Sequence, residues 1–416
     1  MKKLLSILTV ALVTLIGVLP LQARIKLTTL PERESVRLDI QNGSHTLVEE
    51  ERTVNLQKGR NQVDFSWANI YIDKNSIVFR VIEANGKVNV INTNYPNNEN
   101  ALYWSVYSEN AGPAVIRISY LIGNMNAKPS YQGIVENNEK SMMLKFYNTV
   151  TNTSGESFES TTIQPGHGKS TVRYFKNGER KKMLSAKFMN VPITKRYIYD
   201  MRTDSKNTRM IYRMHNDKDN QLGQFPLPHG KVRLFIKEGG AKSEDVRSQA
   251  FLGEDWVKYT PLYSKLDLFV GIAKDVKVKR FVMQPEGGPN NTYVEIVAPR
   301  YLMNGTTAKT KPRYRHQRTR LRYRLENFKT VKGKPVSVPL TIKEIVDGEW
   351  EIEKIELKEI LGERNDVKEN VIPHKGIVES KRIDINNVEF EVELPPTKID
   401  KKYDLYFTIL RKNRLY

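Results

Sequence analysis

Residues 318–325 read Arg-Thr-Arg-Leu-Arg-Tyr-Arg-Leu. Successive side chains of a β-strand point to opposite faces of its sheet, so this alternation predicts a strand with four arginines on one face. The other face then carries the threonine, the two leucines and the tyrosine. The same period of two predicts further strands at residues 35–40, 62–67, 87–91, 231–236 and 277–282.

Turn dipeptides separate several of these runs. Asn42-Gly43, Asn85-Gly86 and Asn177-Gly178 are typical of tight turns between strands. Residues 351–361 also fit a helical period loosely, and we favour a strand there because the neighbouring runs are strands. The pattern predicts an all-β fold of two or three antiparallel β-sandwich domains in tandem, the last immunoglobulin-like.

The first residues have the pattern of a secretory signal. Two lysines precede an apolar run over residues 4–19, and Ala23 supplies a small residue for cleavage. The run is shorter than the ~20 residues of a membrane-spanning helix, so we favour cleavage over an uncleaved anchor. The prediction is an exported protein, periplasmic, surface-bound or secreted, without a transmembrane segment after cleavage.

The sequence also predicts where the domains divide. We expect a signal peptide at 1–23, an N-terminal β domain at 24–98 and a central β-sandwich at 99–308. A C-terminal immunoglobulin-like domain follows at 309–416, after the polar stretch Asn-Gly-Thr-Thr at 304–307.

The composition argues against several kinds of chemistry. There is no cysteine, which excludes disulfides, thiol nucleophiles and thiolate metal sites. The six histidines include no pair at a helical ligand spacing, and no Gly-x-Ser-x-Gly motif occurs. Residues 165–171 resemble a phosphate-binding loop, but Ile163 stands where that loop needs glycine. We therefore expect no catalytic residues, no metal, no cofactor and no nucleotide.

Positive charge is concentrated in two segments of a chain whose net charge is +20. Residues 171–214 contain 12 basic and 3 acidic residues, and residues 309–324 contain 8 basic and no acidic ones. Arginine forks match carboxylate, sulfate and phosphate groups. The candidate polyanion-binding residues are Arg180, Lys181, Lys182, Arg313, Arg315, Arg318, Arg320, Arg322 and Arg324.

The expected partner is an anionic glycan, a lipid headgroup or an acidic protein of the cell envelope, and not nucleic acid. An alternative is that the arginines pair with downstream acids such as Glu351 and Glu353. A second alternative is a metal-free enzyme on acidic polysaccharide, such as a lyase, with Tyr314 or His316 as base beside Arg318. A third is a structural subunit that assembles through sheet edges.

Several short motifs occur in a recognisable order. They are Ser-Tyr-Leu at 119–121, Asn-Thr-Ser-Gly-Glu at 152–156, Leu-Pro-His-Gly-Lys-Val-Arg-Leu-Phe at 227–235, Phe-Leu-Gly-Glu at 251–254, Thr-Pro at 260–261, Gly-Ile-Ala-Lys-Asp-Val at 271–276 and Tyr-Arg-Leu-Glu-Asn at 323–327. With them the chain resembles the bacterial domain-of-unknown-function 4139 family, which includes mucoidy-inhibitor-like proteins, over about residues 115–416.

The resemblance implies an all-β, multi-sandwich envelope protein and brings no catalytic residues. Relatives often carry a long coiled-coil insertion, whereas this chain has only a short link. They also tend to have tryptophan ahead of the tyrosine near 131, where this chain reads Lys-Pro-Ser-Tyr at 128–131.

Overall fold

The computed structural model describes residues 26–40, 45–237, 249–283, 300–301, 307–308, 314–331, 333–361, 368–372, 378–398 and 401–415. The signal-peptide prediction lies outside these residues. The described chain is all-β, as predicted, with no α-helix and a single turn of 3-10 helix at Lys74–Ser76. Residues 351–361 form part of a strand, which confirms the choice of strand over helix there.

The described strands, in chain order, are β1 Lys26–Thr29, β2 Ser35–Ile40, β3 Thr46–Leu56, β4 Gly59–Ser66, β5 Val78–Ala84, β6 Val88–Asn94, β7 Ala101–Ser108, β8 Gly112–Ile122, β9 Met125–Val135, β10 Ser141–Asn152, β11 Phe158–Gln164, β12 Thr171–Phe175, β13 Arg180–Pro192, β14 Thr194–Asp200, β15 Arg209–His215, β16 Gly230–Lys237, β17 Gln249–Val257, β18 Lys265–Ile272, β19 Val276–Met283, β20 Arg300–Tyr301, β21 Thr307–Ala308, β22 Tyr314–Asn327, β23 Thr330–Val331, β24 Lys334–Pro335, β25 Val338–Ile345, β26 Glu349–Leu361, β27 Lys368–Ile372, β28 Val378–Arg382, β29 Asn387–Leu394 and β30 Lys401–Leu415.

Five sheets contain most of these strands. Their orders are β1-β4-β7-β6, β12-β11-β2-β3-β8-β5, β13-β10-β9-β16-β17, β18-β15-β14-β25-β29-β28 and β19-β22-β30-β26-β27. We call the last of these the arginine sheet and the one before it the partner sheet. Pairing is mostly antiparallel, but β1 with β4, β2 with β11, β9 with β16 and β14 with β25 are parallel.

The chain divides into two compact units, each made of two segments. Unit one takes the described residues up to Lys128 together with Asn148–Ser185, and unit two takes Pro129–Tyr147 and the described residues from Ala186 onward. The boundary expected at 98 falls inside unit one because β7 and β8 pair with β4 and β3. β19, which precedes the boundary expected at 308, pairs along its whole length with β22, which follows it.

The core of the C-terminal sandwich lies between the arginine sheet and the partner sheet. Leu321, Leu325 and Phe407 from the first sheet pack in one cluster with Ile342 and Phe390 from the second. Two facing sheets around one core are the layer architecture predicted for the last domain. Unit one has its own core, and unit two has a second one built around Phe146 and Leu234.

One buried ionic group joins the two sheets of this sandwich. The carboxylate of Glu344, on β25, is 1% exposed, and it accepts hydrogen bonds from Nε of Arg280 at 2.9 Å and from Nη2 at 3.1 Å. The hydroxyl of Tyr323 also donates to Glu344. Burial is the main cause that raises the pKa of Tyr323, so this hydroxyl keeps its proton and remains a donor.

We expect Arg280→Met to destabilise the protein strongly. It leaves the Glu344 carboxylate buried without a cation, which typically costs about 3–5 kcal/mol. Urea unfolding measures the loss. The control is Arg233→Met, which removes the same charge from an exposed pair with Glu254 and should cost less than about 1 kcal/mol. Equal losses in the two variants would contradict a structural role for the buried group.

Candidate functional site

The alternation of β22 places its arginines on the outer face of the arginine sheet. Leu321, Tyr323 and Leu325 are buried in the core of the sandwich, at no more than 2% exposure. Arg318, Arg320, Arg322 and Arg324 therefore point the other way, as the sequence predicts.

Antiparallel register brings side chains from four strands into rows across this outer face. At one level, Lys279, Arg324, Asp404 and Lys358 are successive neighbours on β19, β22, β30 and β26. At the next level the neighbours are Phe281, Arg322, Tyr406 and Glu356. The face thus combines cations, acids and aromatic rings.

Two of the four arginines make close ion pairs. Nε and Nη2 of Arg324 each lie 3.0 Å from a different oxygen of Asp404, whose side chain is 1% exposed. This hydrogen bonding raises the pKa of Arg324. Nε of Arg318 lies 2.9 and 2.8 Å from the two oxygens of Glu353, although 45% of the Arg318 side chain is exposed.

Arg320 is held by an acid and a ring. Its Nη2 lies 3.6 Å from Oε2 of Glu356, and its guanidinium carbon lies 5.0 Å from the ring centroid of Tyr406. Nζ of Lys358 is 5.2 Å from the same centroid. Cations over the face of an aromatic ring are attracted by its quadrupole, so Tyr406 supports positive charge on this face.

Arg322 differs from the other three because it makes no ion pair among the described residues. Its guanidinium carbon lies 4.3 Å from the ring centroid of Phe281, and its buried Nε has no hydrogen-bond partner. Next to this position Lys279 is exposed on β19, as is Lys277 two residues before it. None of these three cations makes an ion pair with a described acid, although Lys277 lies opposite Glu326 in the register of β19 with β22.

The outer face as a whole carries more basic than acidic side chains. The basic ones among the described side chains are Lys277, Lys279, Arg318, Arg320, Arg322, Arg324, Lys354, Lys358, Lys402 and Lys412, and the acidic ones are Glu326, Glu349, Glu351, Glu353, Glu356 and Asp404. Ten cations against six acids leave a net positive surface after every pair is counted.

The candidate residues differ in whether they pair with acids and in whether the structure describes their side chains. The pairing alternative applies to Arg318 with Glu353, whereas Glu351 instead pairs with Lys412 at 2.6 Å. Arg313 and the side chain of Arg315 lie outside the described residues, as do the side chains of Tyr314 and His316 from the lyase alternative.

The other basic cluster lies at the start of β13, in unit one. Nζ of Lys181 is 2.9 Å from Glu179, and Lys182 is exposed. Arg180 is exposed and makes no ion pair with the described residues.

Sequence reasoning missed the contribution of β19. The run at 277–282 predicts a strand, and its alternation already puts Lys277, Lys279 and Phe281 on one face. What the sequence could not supply is the pairing with β22, which is separated from β19 by several tens of residues in the chain.

Comparisons with known proteins leave the family open. No family model matches the chain, and no curated protein matches it. The resemblance to the domain-of-unknown-function 4139 family therefore stays a prediction. Among solved structures, one titled BspA_C_WT matches with 6% sequence identity, covering 93% of this chain and 91% of that chain, with a TM-score of 0.19.

Two kinds of feature are absent from the described residues, a metal-binding cluster and a membrane-spanning helix. No group of three or more histidine, aspartate or glutamate side chains in these ranges is placed to hold a metal ion. None of the helical structure in the described part of the chain is long and apolar enough to cross a membrane.

We expect Asp404→Asn to cost roughly 1–3 kcal/mol of unfolding free energy, because Arg324 loses the charged acceptor of a bidentate pair. Glu353→Gln is the matched control, since it neutralises the partner of the more exposed Arg318 and should cost at most about 1 kcal/mol. Thermal or urea unfolding of both variants gives the comparison. A larger loss in Glu353→Gln would contradict the assignment of Asp404 as the structural counter-charge.

Proposed function

We propose that the protein is a non-enzymatic β-sandwich that binds an anionic glycan of the cell envelope through the outer face of the arginine sheet. The observation that carries the proposal is the group formed by Arg322 and Lys279, which make no ion pair with a described acid, together with Lys277, which lies opposite Glu326. The exported location belongs to the proposal too, and the signal pattern of residues 1–23 supports it.

The spacing of the arginines favours a polymer over a single small anion. Alternate residues of a strand are about 6.8 Å apart, so four arginines span roughly 20 Å in a line. A linear polymer with repeated carboxylates or sulfates presents charges along such a line, whereas one phosphate engages only one or two of them. Acids on β26 and β30 also hold the guanidinium groups of Arg318, Arg320 and Arg324 in place before binding, which lowers the entropic cost of association.

The two other envelope partners fit this face less well. A lipid surface presents charge in two dimensions, and the six acids of the face would meet that charge directly. An acidic protein would need a row of acids spaced to match the arginines, and no described feature of this face calls for such a protein. A glycan chain can follow the row of cations while avoiding the acids beside it.

The lyase alternative has weaker support. Arg318 is engaged by Glu353, and the remaining residues proposed for it lie outside the described side chains. We keep the non-enzymatic proposal because the described face offers cations that can bind an anionic polymer, while its carboxylates Glu353, Glu356 and Asp404 are paired with arginines.

We expect Lys279→Gln/Arg322→Gln to weaken binding to polygalacturonate at least about tenfold, a difference of roughly 1.4 kcal/mol. Both cations lack described acidic partners, so their loss should act on binding and leave the ion pairs of the face intact. Co-sedimentation or titration calorimetry across a salt series measures the affinity, which should fall steeply as salt rises.

The control variant is Lys87→Gln/Lys128→Gln, which removes the same charge from exposed positions in unit one. It should bind like the unaltered protein. Equal weakening in the two variants would mean that only net charge matters. Affinity that ignores salt, or oligomers that form without any response to polyanion, would contradict the proposal, and release of unsaturated sugar products would favour the lyase alternative.

A further inference from the structure

β6, at Val88–Asn94, forms one edge of its sheet in unit one. Among the described residues it pairs with β7 alone, and residues 89–93 are all exposed. The backbone N–H and C=O groups on the outer side of an edge strand can bond to a further strand. β6 shares no sheet with the arginine sheet, so this edge is separate from the proposed glycan-binding face.

Charged side chains are missing from β6, which reads Val-Asn-Val-Ile-Asn-Thr-Asn. Each of the other nine edge strands of the five sheets contains at least one lysine, arginine, aspartate or glutamate. These strands are β1, β5, β12, β13, β17, β18, β19, β27 and β28. Charges on an edge strand oppose its pairing with another chain. Within these five sheets, β6 is the edge that lacks this protection.

The edge also exposes apolar side chains. Val90 is 41% exposed and Ile91 is 50% exposed. Ile91 is the extra residue of a β-bulge between Val90 and Asn92, so it has no opposite residue on β7. Valine, isoleucine and threonine favour strands, and covering exposed apolar surface is favourable. The strand therefore gains from a neighbour on its outer side.

β5 provides a matched comparison within unit one. Ile82 on this edge strand is also 50% exposed, and it is also the extra residue of a bulge, between Val81 and Glu83. Unlike β6, however, β5 carries the charges of Arg80 and Glu83. The two edges thus differ in charge and agree in the exposure of one isoleucine.

The charge distribution of the chain favours this edge for contact between two copies. The net charge is +20, so two copies repel where the excess charge lies. Residues 26–128, which include β6, contain 11 basic and 11 acidic residues. Contact at β6 therefore joins balanced segments and keeps the basic segments out of the interface.

We propose that β6 pairs antiparallel with β6 of a second copy of this chain, about a two-fold axis. The pairing would join two four-stranded sheets into one sheet of eight strands. A register centred on Ile91 pairs all seven residues of each strand and places Ile91 opposite its own copy. Each copy then has only charged sheet edges left, so the assembly closes as a dimer.

A second copy fits this edge better than an unrelated strand does. Two-fold pairing sets the same short, uncharged segment against itself, so length, twist and lack of charge match on both sides. One pair of seven-residue strands buries little surface, and such small interfaces belong to weak, transient complexes. We therefore expect a dimer with a dissociation constant of roughly micromolar size.

The test is analytical ultracentrifugation of the full chain over a range of concentrations. The unaltered protein should change from monomer to dimer as concentration rises. Ile91→Lys puts a charge on the edge and should weaken dimerisation at least about tenfold. Ile82→Lys is the control, because it makes the same change at an equally exposed isoleucine and should dimerise like the unaltered protein. A monomer at all concentrations up to about 100 µM, or equal weakening in the two variants, would overturn the proposal.

Cysteine cross-linking locates the interface independently. The chain has no cysteine, so each single-cysteine variant carries one thiol. Opposite residues at a two-fold axis between antiparallel strands lie within the Cα separation of about 4.4–6.8 Å that a disulfide needs. Among variants with cysteine at each of residues 89–93, the covalent dimer should be strongest at Ile91→Cys or an adjacent position. Ile82→Cys should give none, and a covalent dimer from Ile82→Cys with none from 89–93 would overturn the assignment.

The dimer proposal and the glycan proposal can fail separately. The dimer should still bind polygalacturonate, and Ile91→Lys should keep the salt-dependent affinity of the unaltered protein for it. Conversely, Lys279→Gln/Arg322→Gln should dimerise normally. Loss of the dimer in that double variant would place the interface on the arginine sheet and overturn its assignment to β6.

Discussion

The C-terminal sandwich depends on one constraint, which is that one face of β22 must lie in the core. Leu321, Tyr323 and Leu325 fill the interior, and the hydroxyl of Tyr323 reaches Glu344 on the opposite sheet. A register shift of one residue would bury four arginines and expose the apolar side chains, so the register is strongly specified. The buried pair of Glu344 with Arg280 adds a second, ionic, requirement to the same register.

This constraint has a cost on the outer face, where like charges stand on alternate residues. Acidic side chains and aromatic rings on β19, β26 and β30 offset this repulsion. The most buried of these residues are Asp404 and Tyr406. Arg322 stands on Phe281 without such an acid. The remaining positive charge therefore lies at defined positions in the sheet. This distinguishes the face from a run of arginines that is only solvated.

The strands and their faces could be predicted from the sequence, because alternation is a local signal. The sequence names Glu351 and Glu353 as acids that the arginines could meet, but it could not tell which of the two does. A β-bulge between Ile352 and Lys354 displaces Glu353 from the regular register of β26, and Glu353, not Glu351, meets Arg318. The alternation of apolar and polar residues does not predict where a β-bulge occurs. The grouping of chain segments into two units is also beyond a local signal, because it depends on contacts between residues far apart in the chain.

Acetylation of lysines followed by mass spectrometry, with and without polygalacturonate at low salt, tests most directly whether the outer face of the arginine sheet binds the polymer. The account predicts that Lys277 and Lys279 become protected, while the exposed Lys87 and Lys128 of unit one react as before. Protection confined to Lys181 and Lys182, or equal protection everywhere, would contradict it.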